Sequence, residues 1–327
     1  RHGFCHCGKI RPDLSILNRA SFSDGLKVQV FVEGRAYGPD IVFLRINRQV
    51  SLPASYKNNL MMTEDTRPLV QVVAGILLDP NGRYLLSSRP EGKPYAGYWE
   101  FAGGKVEAGE SDFQALQREF EEELGIRILA ATPWLTKIHS YEHAHVRLHF
   151  LWVEADQWAG EIQSREEQKW AWQKAGDFTV APMLPANSAL LRSLSIPRRL
   201  QGRLKSGFSG QNSMGEYYIA PYGLAHQTAS AVLLEFADWQ QGNPQEASSA
   251  WPIIENVEQW RRVQNADAVV WKVADESAAG QVADILAQGV AMPLIVAAPE
   301  SLVSIYREQW QSMGAHAVLT DNDIEAV

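Results

Sequence analysis

The sequence predicts an α/β protein with two domains. These are an α/β/α sandwich with a mixed sheet over residues 67–195 and a smaller, partly barrel-like domain of βα repeats over residues 213–327. A chain of 327 residues is long for one domain and sufficient for two. In the first region the predicted elements follow the order strands, helix, strands, helix, which is typical of a sheet packed between helices. In the second region strands and helices alternate, which indicates parallel strands joined by right-handed crossovers.

The first domain begins with an apolar strand over residues 70–78, which ends at the turn sequence Asp-Pro-Asn-Gly at 79–82. An apolar run resumes over residues 83–87, and the two runs together predict a β-hairpin. Ser111 is placed to cap the start of a helix and Gly125 to cap its end. The helices are predicted over residues 111–124 and 185–194, and the other strands over residues 98–102, 134–141, 145–154 and 167–172.

A change of composition separates the two domains. Residues 196–212 are rich in Pro, Arg, Lys, Ser and Gly, which predicts a linker. Beyond the linker, strands are predicted over residues 266–273, 293–297 and 316–320, with helices over residues 277–287 and 300–313.

Residues 1–61 show no sustained periodicity and are predicted to be a leader that is either disordered or not part of the native protein. The spacing of Cys5 and Cys7 with the neighbouring His2 and His6 is too cramped for the usual zinc site. Two cysteines also exclude a fold held together by disulfides, so a cytoplasmic setting is expected.

The charge balance limits the class of partner. The formal net charge is −8 and the pI is about 5.6, which argues against direct binding to nucleic acid, because such binding usually needs a basic face. No apolar run approaches the ~20 residues of a membrane helix, so no membrane partner is expected. The sequence identifies no protein partner. An acidic protein that binds an anionic substrate needs a metal ion between the like charges.

Three clustered glutamates are the most informative feature of the sequence. In the predicted helix over residues 111–124, Glu119, Glu122 and Glu123 stand at positions i, i+3 and i+4 and therefore share one face. Crowded carboxylates repel one another when ionised, and they are typical of a site for a hard cation such as Mg²⁺, which prefers oxygen ligands. The other interpretation, a solvated acidic face, is common for three glutamates alone.

The stretch from Gly104 to Ile126 has a spacing that a chance acidic face would not produce. It consists of glycine, five residues, glutamate, seven residues, Arg-Glu, an apolar residue, any residue, Glu-Glu, any residue, glycine and an apolar residue. Every fixed position matches the Nudix box. The run Tyr-Trp-Glu-Phe-Ala-Gly-Gly-Lys-Val-Glu at residues 98–107 resembles the MutT branch of that family. The resemblance covers residues 67–195 and implies a hydrolase that acts on nucleoside triphosphates.

The resemblance also implies roles for individual residues. Mg²⁺, for which Mn²⁺ can substitute, would be bound by the carbonyl of Gly103 and by the side chains of Glu119, Glu122, Glu123 and Glu166, with Glu167 as the rival of Glu166. The three box glutamates, with Arg118 orienting an acidic neighbour, would form the catalytic group, and Arg89, Lys105 and Asn187 would contact the substrate. A water molecule, positioned or deprotonated by a glutamate, would attack the β-phosphorus and give a monophosphate and pyrophosphate.

The identity of the base rests on one asparagine. The run Leu-Pro-Ala-Asn at residues 184–187 resembles the MutT segment in which an asparagine reads 8-oxoguanine, and an amide offers both a donor and an acceptor. This favours 8-oxo-dGTP as the substrate, although Asn187 is also placed to cap a helix. The run at residues 98–107 resembles the CTP and 5-hydroxy-CTP pyrophosphohydrolases as well. A third interpretation is a Nudix module that binds a nucleotide without cleaving it.

Four histidines fall within eleven residues: His139, His143, His145 and His149. Because carboxylates already account for a metal site, these histidines are interpreted as surface or substrate-side groups rather than as transition-metal ligands.

The C-terminal region, residues 213–327, resembles a shortened and degenerate thiamine phosphate synthase in its strand order and in the run Gly-Ala-His-Ala at 314–317. It is too short for a full barrel of about 200 residues. A role in packing, oligomerisation or binding of an unidentified ligand is therefore expected, rather than thiamine chemistry.

Overall fold

A computed structural model of the chain describes residues 67–224, 229–241, 249–264 and 266–325. The predicted leader over residues 1–61 and its cysteine and histidine cluster lie outside the described residues. The described residues belong to one compact unit that spans residues 65–327.

The first half of this unit is built around a mixed sheet. Strand β1 (Leu69–Leu77) runs parallel to β6 (His145–Val153), and β6 pairs antiparallel with β5 (Thr132–Ser140). On the other edge of β1, residues 102–106 run antiparallel to it through backbone hydrogen bonds such as Val73 N–H to Gly104 O at 2.9 Å. The glycine-rich run is therefore fixed directly beside the central strand.

Five further strands complete this half. An antiparallel sheet has the order β3 (Trp99–Glu100), β2 (Tyr84–Ser88), β8 (Trp170–Gln173). Strands β4 (Arg127–Ile128) and β7 (Trp158–Ala159) form a separate two-stranded pair.

The predicted hairpin between the first two strands is wrong. A single bridge, Leu78 to Tyr84, joins them before β1 continues the mixed sheet and β2 enters the antiparallel one. The turn itself is present, because the side chain of Asp79 accepts hydrogen bonds from the backbone N–H groups of Asn81 and Arg83. Beyond this turn, β1 pairs along its whole length with β6, whereas β2 pairs with β3 and β8.

Helix α1 (Asp112–Leu124) confirms the predicted helix and both of its caps. Ser111 and Gln114 form a reciprocal capping box, and Gly125 ends the helix in the left-handed conformation. The buried side of α1 packs on one face of the mixed sheet, where a Cβ at position 75 would lie 2.6 Å from Phe120 Cζ. Glycine at position 75 therefore permits the close approach of α1 to the sheet.

Helix α2 (Pro185–Leu194) also agrees with the predicted helix. Its buried Leu190 and Leu194 join a different core cluster, together with Ile76 and Phe150 from the sheet. The mixed sheet thus lies between two helices, as the sequence predicted.

The second half is an eight-stranded, nearly closed, barrel-like sheet. The first three strands are antiparallel, and the later strands continue parallel. The Leu204 N–H donates to Asp321 Oδ2 at 2.7 Å and so links the two ends of the sheet. In chain order the strands are β9 (Gln201–Arg203), β10 (Gly207–Asn212), β11 (Gly215–Pro221), β12 (Ala231–Glu235), β13 (Ala250–Ile254), β14 (Val269–Lys272), β15 (Leu294–Ala298) and β16 (Ala317–Thr320).

In the described part of this half, four α-helices accompany the strands. They are α3 (Phe236–Gln240), α4 (Val257–Arg262), α5 (Glu276–Gln288) and α6 (Glu300–Ser312). Among the residues that the structure describes, no helix is long and apolar enough to cross a membrane.

The stretch predicted as a linker, residues 196–212, differs from that expectation. It contains strands β9 and β10 of the barrel-like sheet, and Ile196, Leu200 and Phe208 are buried in its core. Its glycines and charged residues resemble a linker in composition, but β9, which is exposed at all three residues, ends the strand order of the sheet, and β10 pairs with both β9 and β11. The described C-terminal part of the chain therefore begins earlier than residue 213.

Candidate active site

A cavity of about 750 Å³ lies between β1, the glycine-rich run, α1 and the start of α2. Its volume is in the usual range for small-molecule sites. The residues predicted for chemistry that line it are Arg89, Gly103, Lys105, Glu119, Glu123, Glu166 and Asn187. Arg118 and Glu122 do not line the cavity but lie at its rim, where Arg118 Nη1 is 3.4 Å from Glu122 Oε2.

Five glutamates line the cavity, and four of them, all but Glu107, lie close together in a part of it called here the carboxylate end. Glu119 and Glu123 come from α1, Glu100 from β3 and Glu166 from the loop before β8. The glycine-rich run allows this crowding, because a Cβ at position 104 would lie 2.2 Å from the carboxyl carbon of Glu119. Any larger residue at position 104 would displace that carboxylate.

The environment of Glu123 favours a bound cation. Burial, followed by the charges of Glu100, Glu119 and Glu166, raises the pKa of this carboxyl to about 8. Among the described residues, the Glu123 carboxylate has neither a hydrogen bond nor an ion pair. A divalent cation would remove this repulsion, and four carboxylates are the donor set that hard cations prefer.

The carboxylates do not yet converge on one point. Among the described residues, no group of three or more His, Cys, Asp or Glu side chains is arranged to hold a metal ion. Two of the acids instead face protein cations, since Glu100 pairs with Arg89 and Glu166 with Lys93. The donor chemistry therefore fits a divalent cation, while its coordination requires these side chains to shift.

The backbone of Gly103 is also suited to a metal ligand. The carbonyls on either side of it, at Ala102 and Gly104, accept hydrogen bonds from Gly75 and Val73 of the central strand. The Gly103 carbonyl accepts none from the described residues, and the residue lines the cavity. Its φ of +149° and the 2.2 Å between a hypothetical Cβ and Val73 O require glycine here.

Arg118 binds the acidic helix to the glycine-rich run. Its guanidinium donates to both carboxylate oxygens of Glu110, to Glu119 Oε1 at 2.8 Å and to the carbonyl of Lys105 at 2.9 Å. The hydrogen bonds from Arg118 lower the pKa of Glu110 to about 2. Arg118 thus orients Glu119 and does not itself face the cavity.

The two candidates for the additional glutamate are separated by position. Glu166 lines the cavity, and its carboxylate lies 2.5 Å from Lys93 Nζ. Glu167 is exposed, does not line the cavity and has a positive φ of 63°. The geometry therefore places Glu166, and not Glu167, beside the other carboxylates.

The two predicted cationic contacts, Arg89 and Lys105, both line the cavity but come from different parts of the chain. Arg89 forms a double hydrogen bond with Glu100, at 2.8 and 2.7 Å. Despite this partner, burial raises the pKa of Glu100. Lys105 lines the cavity from the glycine-rich run, which lies against β1.

A second part of the cavity wall, called here the base end, is formed by Tyr141, Leu184 and Asn187. Asn187 is only 3% exposed, and among the described residues its side-chain amide has no hydrogen-bond partner. Helix capping does not account for it, because the N-cap of α2 is Leu184 and no side chain caps this helix. Asn187 therefore offers an unused donor and acceptor at the base end.

Aromatic side chains surround the base end. Tyr141 stacks on His143 with ring centroids 5.4 Å apart, and Tyr95 contacts both rings. Such rings suit a planar base.

The four histidines of β5, β6 and their connection do not converge. His143 and His145 line the cavity, whereas His139 packs its ring against Tyr141. His149 instead bridges Asp112 at 3.1 Å and Gln71 at 3.0 Å. This arrangement agrees with substrate-side and structural histidines.

Three further residues contribute to the site although the sequence did not single them out. Glu100 and Lys93 line the carboxylate end, and Gln168 fixes the loop that carries Glu166. Glu100 lies within the run at residues 98–107, so the sequence contained a signal that could have identified it. Lys93 and Gln168 come from loops whose approach to the cavity depends on tertiary structure.

The part of the chain that forms this cavity is similar to known proteins. The NUDIX domain family matches residues 68–194. The 8-oxo-dGTP diphosphatase of Haemophilus influenzae is 37% identical over 128 residues, which are 39% of this chain and 93% of that protein. The CTP pyrophosphohydrolase of Escherichia coli is 37% identical over 130 residues, 40% of this chain and 94% of that protein. The crystal structure of MutT NUDIX hydrolase from Burkholderia pseudomallei is 28% identical, covers 38% of this chain and 97% of its own, and superposes with a TM-score of 0.35.

Proposed function

Because the chain belongs to the Nudix family of hydrolases that act on phosphorus anhydrides, we propose that it converts 8-oxo-dGTP into 8-oxo-dGMP and pyrophosphate. One observation carries the proposal: one cavity is lined both by a group of four carboxylates and by Asn187, a residue only 3% exposed whose side-chain amide has no hydrogen-bond partner among the described residues. The first group suits a cation with its polyphosphate, and the second suits the edge of a base.

The proposed cofactor is Mg²⁺, with Mn²⁺ as a substitute. Glu119, Glu123, Glu166 and the Gly103 carbonyl would hold it, with Glu122 at the rim. When bound, such a cation neutralises charge on the phosphates and makes a water molecule more acidic.

The other roles in the reaction belong to residues of the chain. Arg118 holds Glu119 in place, and the proton of the attacking water passes to a glutamate of α1. The water oxygen bonds to the β-phosphorus while the bond from that phosphorus to the oxygen shared with the α-phosphate breaks. Lys105 contacts the phosphates and Arg89 lies near the nucleotide. The products are 8-oxo-dGMP and pyrophosphate.

Asn187 is proposed to select the oxidised base. Asn187 is only 3% exposed. A bound base that makes no hydrogen bond with its amide therefore removes water from the amide without replacing the hydrogen bonds to that water, which weakens binding. The protein is proposed to act in the cytoplasm, without direct contact with nucleic acid. Removal of 8-oxo-dGTP from the nucleotide pool there would protect DNA replication and serve DNA repair.

A second substrate class has a specific observation in its favour. The CTP pyrophosphohydrolase and the 8-oxo-dGTP diphosphatase compared above are equally identical to this chain, at 37%. CTP or 5-hydroxy-CTP is therefore the alternative substrate. The complete set of box glutamates in and beside the cavity favours catalysis over mere binding of a nucleotide.

The test is a nucleotide panel with product analysis. Purified full-length protein is incubated with 8-oxo-dGTP, dGTP, CTP or 5-hydroxy-dCTP, in Mg²⁺ or in EDTA. We expect pyrophosphate as the inorganic product, no turnover in EDTA, and kcat/KM for 8-oxo-dGTP at least about tenfold above the others, the discrimination that one paired amide supports. A lead for 5-hydroxy-dCTP would replace the substrate, and turnover in EDTA would remove the mechanism.

A further inference from the structure

The two elements that form the base end of the cavity are both attached to the barrel-like sheet. Strand β5 leads directly into Tyr141, and α2 begins beside Leu184 and carries Asn187 in its first turn. The contacts of each element with the sheet lie away from the cavity.

Strand β5 is bound along its outer edge. The Thr136 N–H donates to Val290 O at 2.8 Å, and Lys137 Nζ donates to Ala291 O at 2.8 Å. Gly289 has a φ of +81°, and a Cβ there would lie 2.6 Å from Thr136 Oγ1. The turn between α5 and β15 thus continues the mixed sheet beyond β5.

Helix α2 is bound at its far end. Arg192 forms an ion pair with Asp267 at 2.8 Å, and Asn212 Nδ2 donates to Ser195 O at 2.7 Å. A helix of ten residues is about 15 Å long, so movement at its last turn changes the position of Asn187 in its first.

His316 connects both elements through one buried ring. Trp134 Nε1 of β5 donates to His316 Nδ1 at 3.1 Å, so Nδ1 is the acceptor and the proton resides on Nε2. His316 Nε2 then donates to the carbonyl of Ile196, just beyond α2, at 3.0 Å. The ring is 3% exposed and follows Gly314, whose close approach to Pro133 O leaves no room for a side chain.

We propose that the barrel-like sheet braces the base end of the cavity, and that His316 is the positioning residue that sets β5 and α2 relative to each other. The inference rests on the proposed function, because this support of the base end, called here the brace, is given a role in nucleotide selection. The carboxylates of α1 are outside its reach, since the buried side chains of α1 belong to a separate core cluster on the other face of the mixed sheet.

The kinetic test uses the full chain with the substitution His316→Leu. We expect KM for 8-oxo-dGTP to rise about tenfold, the equivalent of one weakened hydrogen bond, with kcat within about twofold of the wild type. The preference for 8-oxo-dGTP over dGTP should fall. His316→Asn, which retains an acceptor for Trp134, and His316→Gln, which retains a donor for Ile196, should each restore part of the loss.

A second measurement is independent of turnover. Hydrogen exchange should become faster in residues 134–141 and 184–195 of His316→Leu and stay unchanged in residues 112–124. Arg192→Ala, a substitution of an exposed side chain, should accelerate exchange in α2 alone and provides the test if His316→Leu does not fold.

The outcomes separate the two proposals. If the wild type hydrolyses 8-oxo-dGTP and a folded His316→Leu keeps its KM and its exchange rates, the brace is refuted and the function stands. If the wild type hydrolyses no nucleotide but exchange accelerates in both segments, the brace stands and the proposed function fails. Unchanged exchange in Arg192→Ala would also count against the brace.

Discussion

The carboxylate of Glu119 occupies the space that a side chain at position 104 would need, and this decides what the glycine-rich run tolerates. A Cβ at position 104 would lie 2.2 Å from two atoms of the Glu119 carboxyl group. Since Arg118 holds one oxygen of the same carboxylate at 2.8 Å, the side chain has little freedom to move aside.

We therefore expect Gly104→Ala to lower kcat about a hundredfold, the scale of loss for a misplaced catalytic group, while the fold is retained. Steady-state kinetics with Mg²⁺, accompanied by circular dichroism, measures both effects. The matched control is Gly280→Ala, because that glycine lies in α5 with open space around its Cβ position. Equal turnover in the two variants would contradict the assigned geometry.

Residue spacing predicted part of the site correctly and could not predict the rest. The glutamates at i, i+3 and i+4 share one side of α1, but only Glu119 and Glu123 line the cavity, and Glu122 is more than half exposed. Helical spacing shows that the three side chains share one side of the helix, but it does not show which of them line the cavity. The contribution of Glu100 depends on the pairing of β3 with β2, which spacing does not encode.

At the scale of elements, the loop before β8 is fixed to the last turn of α1. Gln168 Nε2 donates to the carbonyl of Glu123 at 2.7 Å, and Gln168 Oε1 accepts from the Glu166 N–H at 2.9 Å. One buried amide thus binds a carbonyl of the last helical turn and places Glu166 beside the other acids.

We expect Gln168→Ala to raise the Mg²⁺ concentration for half-maximal activity roughly threefold to tenfold, as two lost hydrogen bonds would. The reason is that Glu166 loses its fixed position. Activity measured across a Mg²⁺ titration gives the answer, with Gln163→Ala as the control in the same loop. An unchanged requirement in Gln168→Ala would show that this loop does not supply a ligand.

The elements themselves show which sequence signals are reliable. Both helices of the sandwich were predicted, because apolar spacing and, for α1, the capping residues are local properties. The pairing of β1 and the strands within residues 196–212 were not, because pairing depends on partners distant in sequence, such as β6. The thiamine phosphate synthase resemblance of the barrel-like sheet stays a prediction.

At the scale of the whole molecule, the sandwich and the barrel-like sheet share one core cluster. Trp134, Trp152 and Leu190 of the first half join Val269 and Val290 of the second. The central contact is polar, since Trp134 donates to the buried His316.

This contact predicts a dependence of stability on pH. Burial, followed by the charge of Arg198, lowers the pKa of His316 to about 4, whereas an unfolded histidine titrates near 6.5. Between these values the unfolded chain binds the extra proton, so His316 makes stability rise with pH and plateau above about 6.5. Its contribution is lost as pH falls from about 6.5 to about 4.

Urea unfolding of the wild type and His316→Asn from pH 7.5 to pH 4.5 measures this contribution as a difference between two proteins. As the pH falls, we expect the free energy of unfolding of the wild type to decrease more steeply than that of the variant, by at most about 1.4 kcal/mol per pH unit. The reason is that the variant lacks the titrating imidazole. Parallel curves would show that the ring takes up its proton as readily in the folded protein as in the unfolded chain.

The central claim is that the carboxylates of α1 hold a divalent cation, and Mn²⁺ titration followed by electron paramagnetic resonance tests it most directly. Glu119→Gln and Glu123→Gln should each weaken Mn²⁺ binding at least about tenfold, since each removes one charged oxygen ligand. Glu121→Gln, on the same helix but paired with Arg165, should bind as the wild type does. Equal binding by all four proteins would contradict the claim.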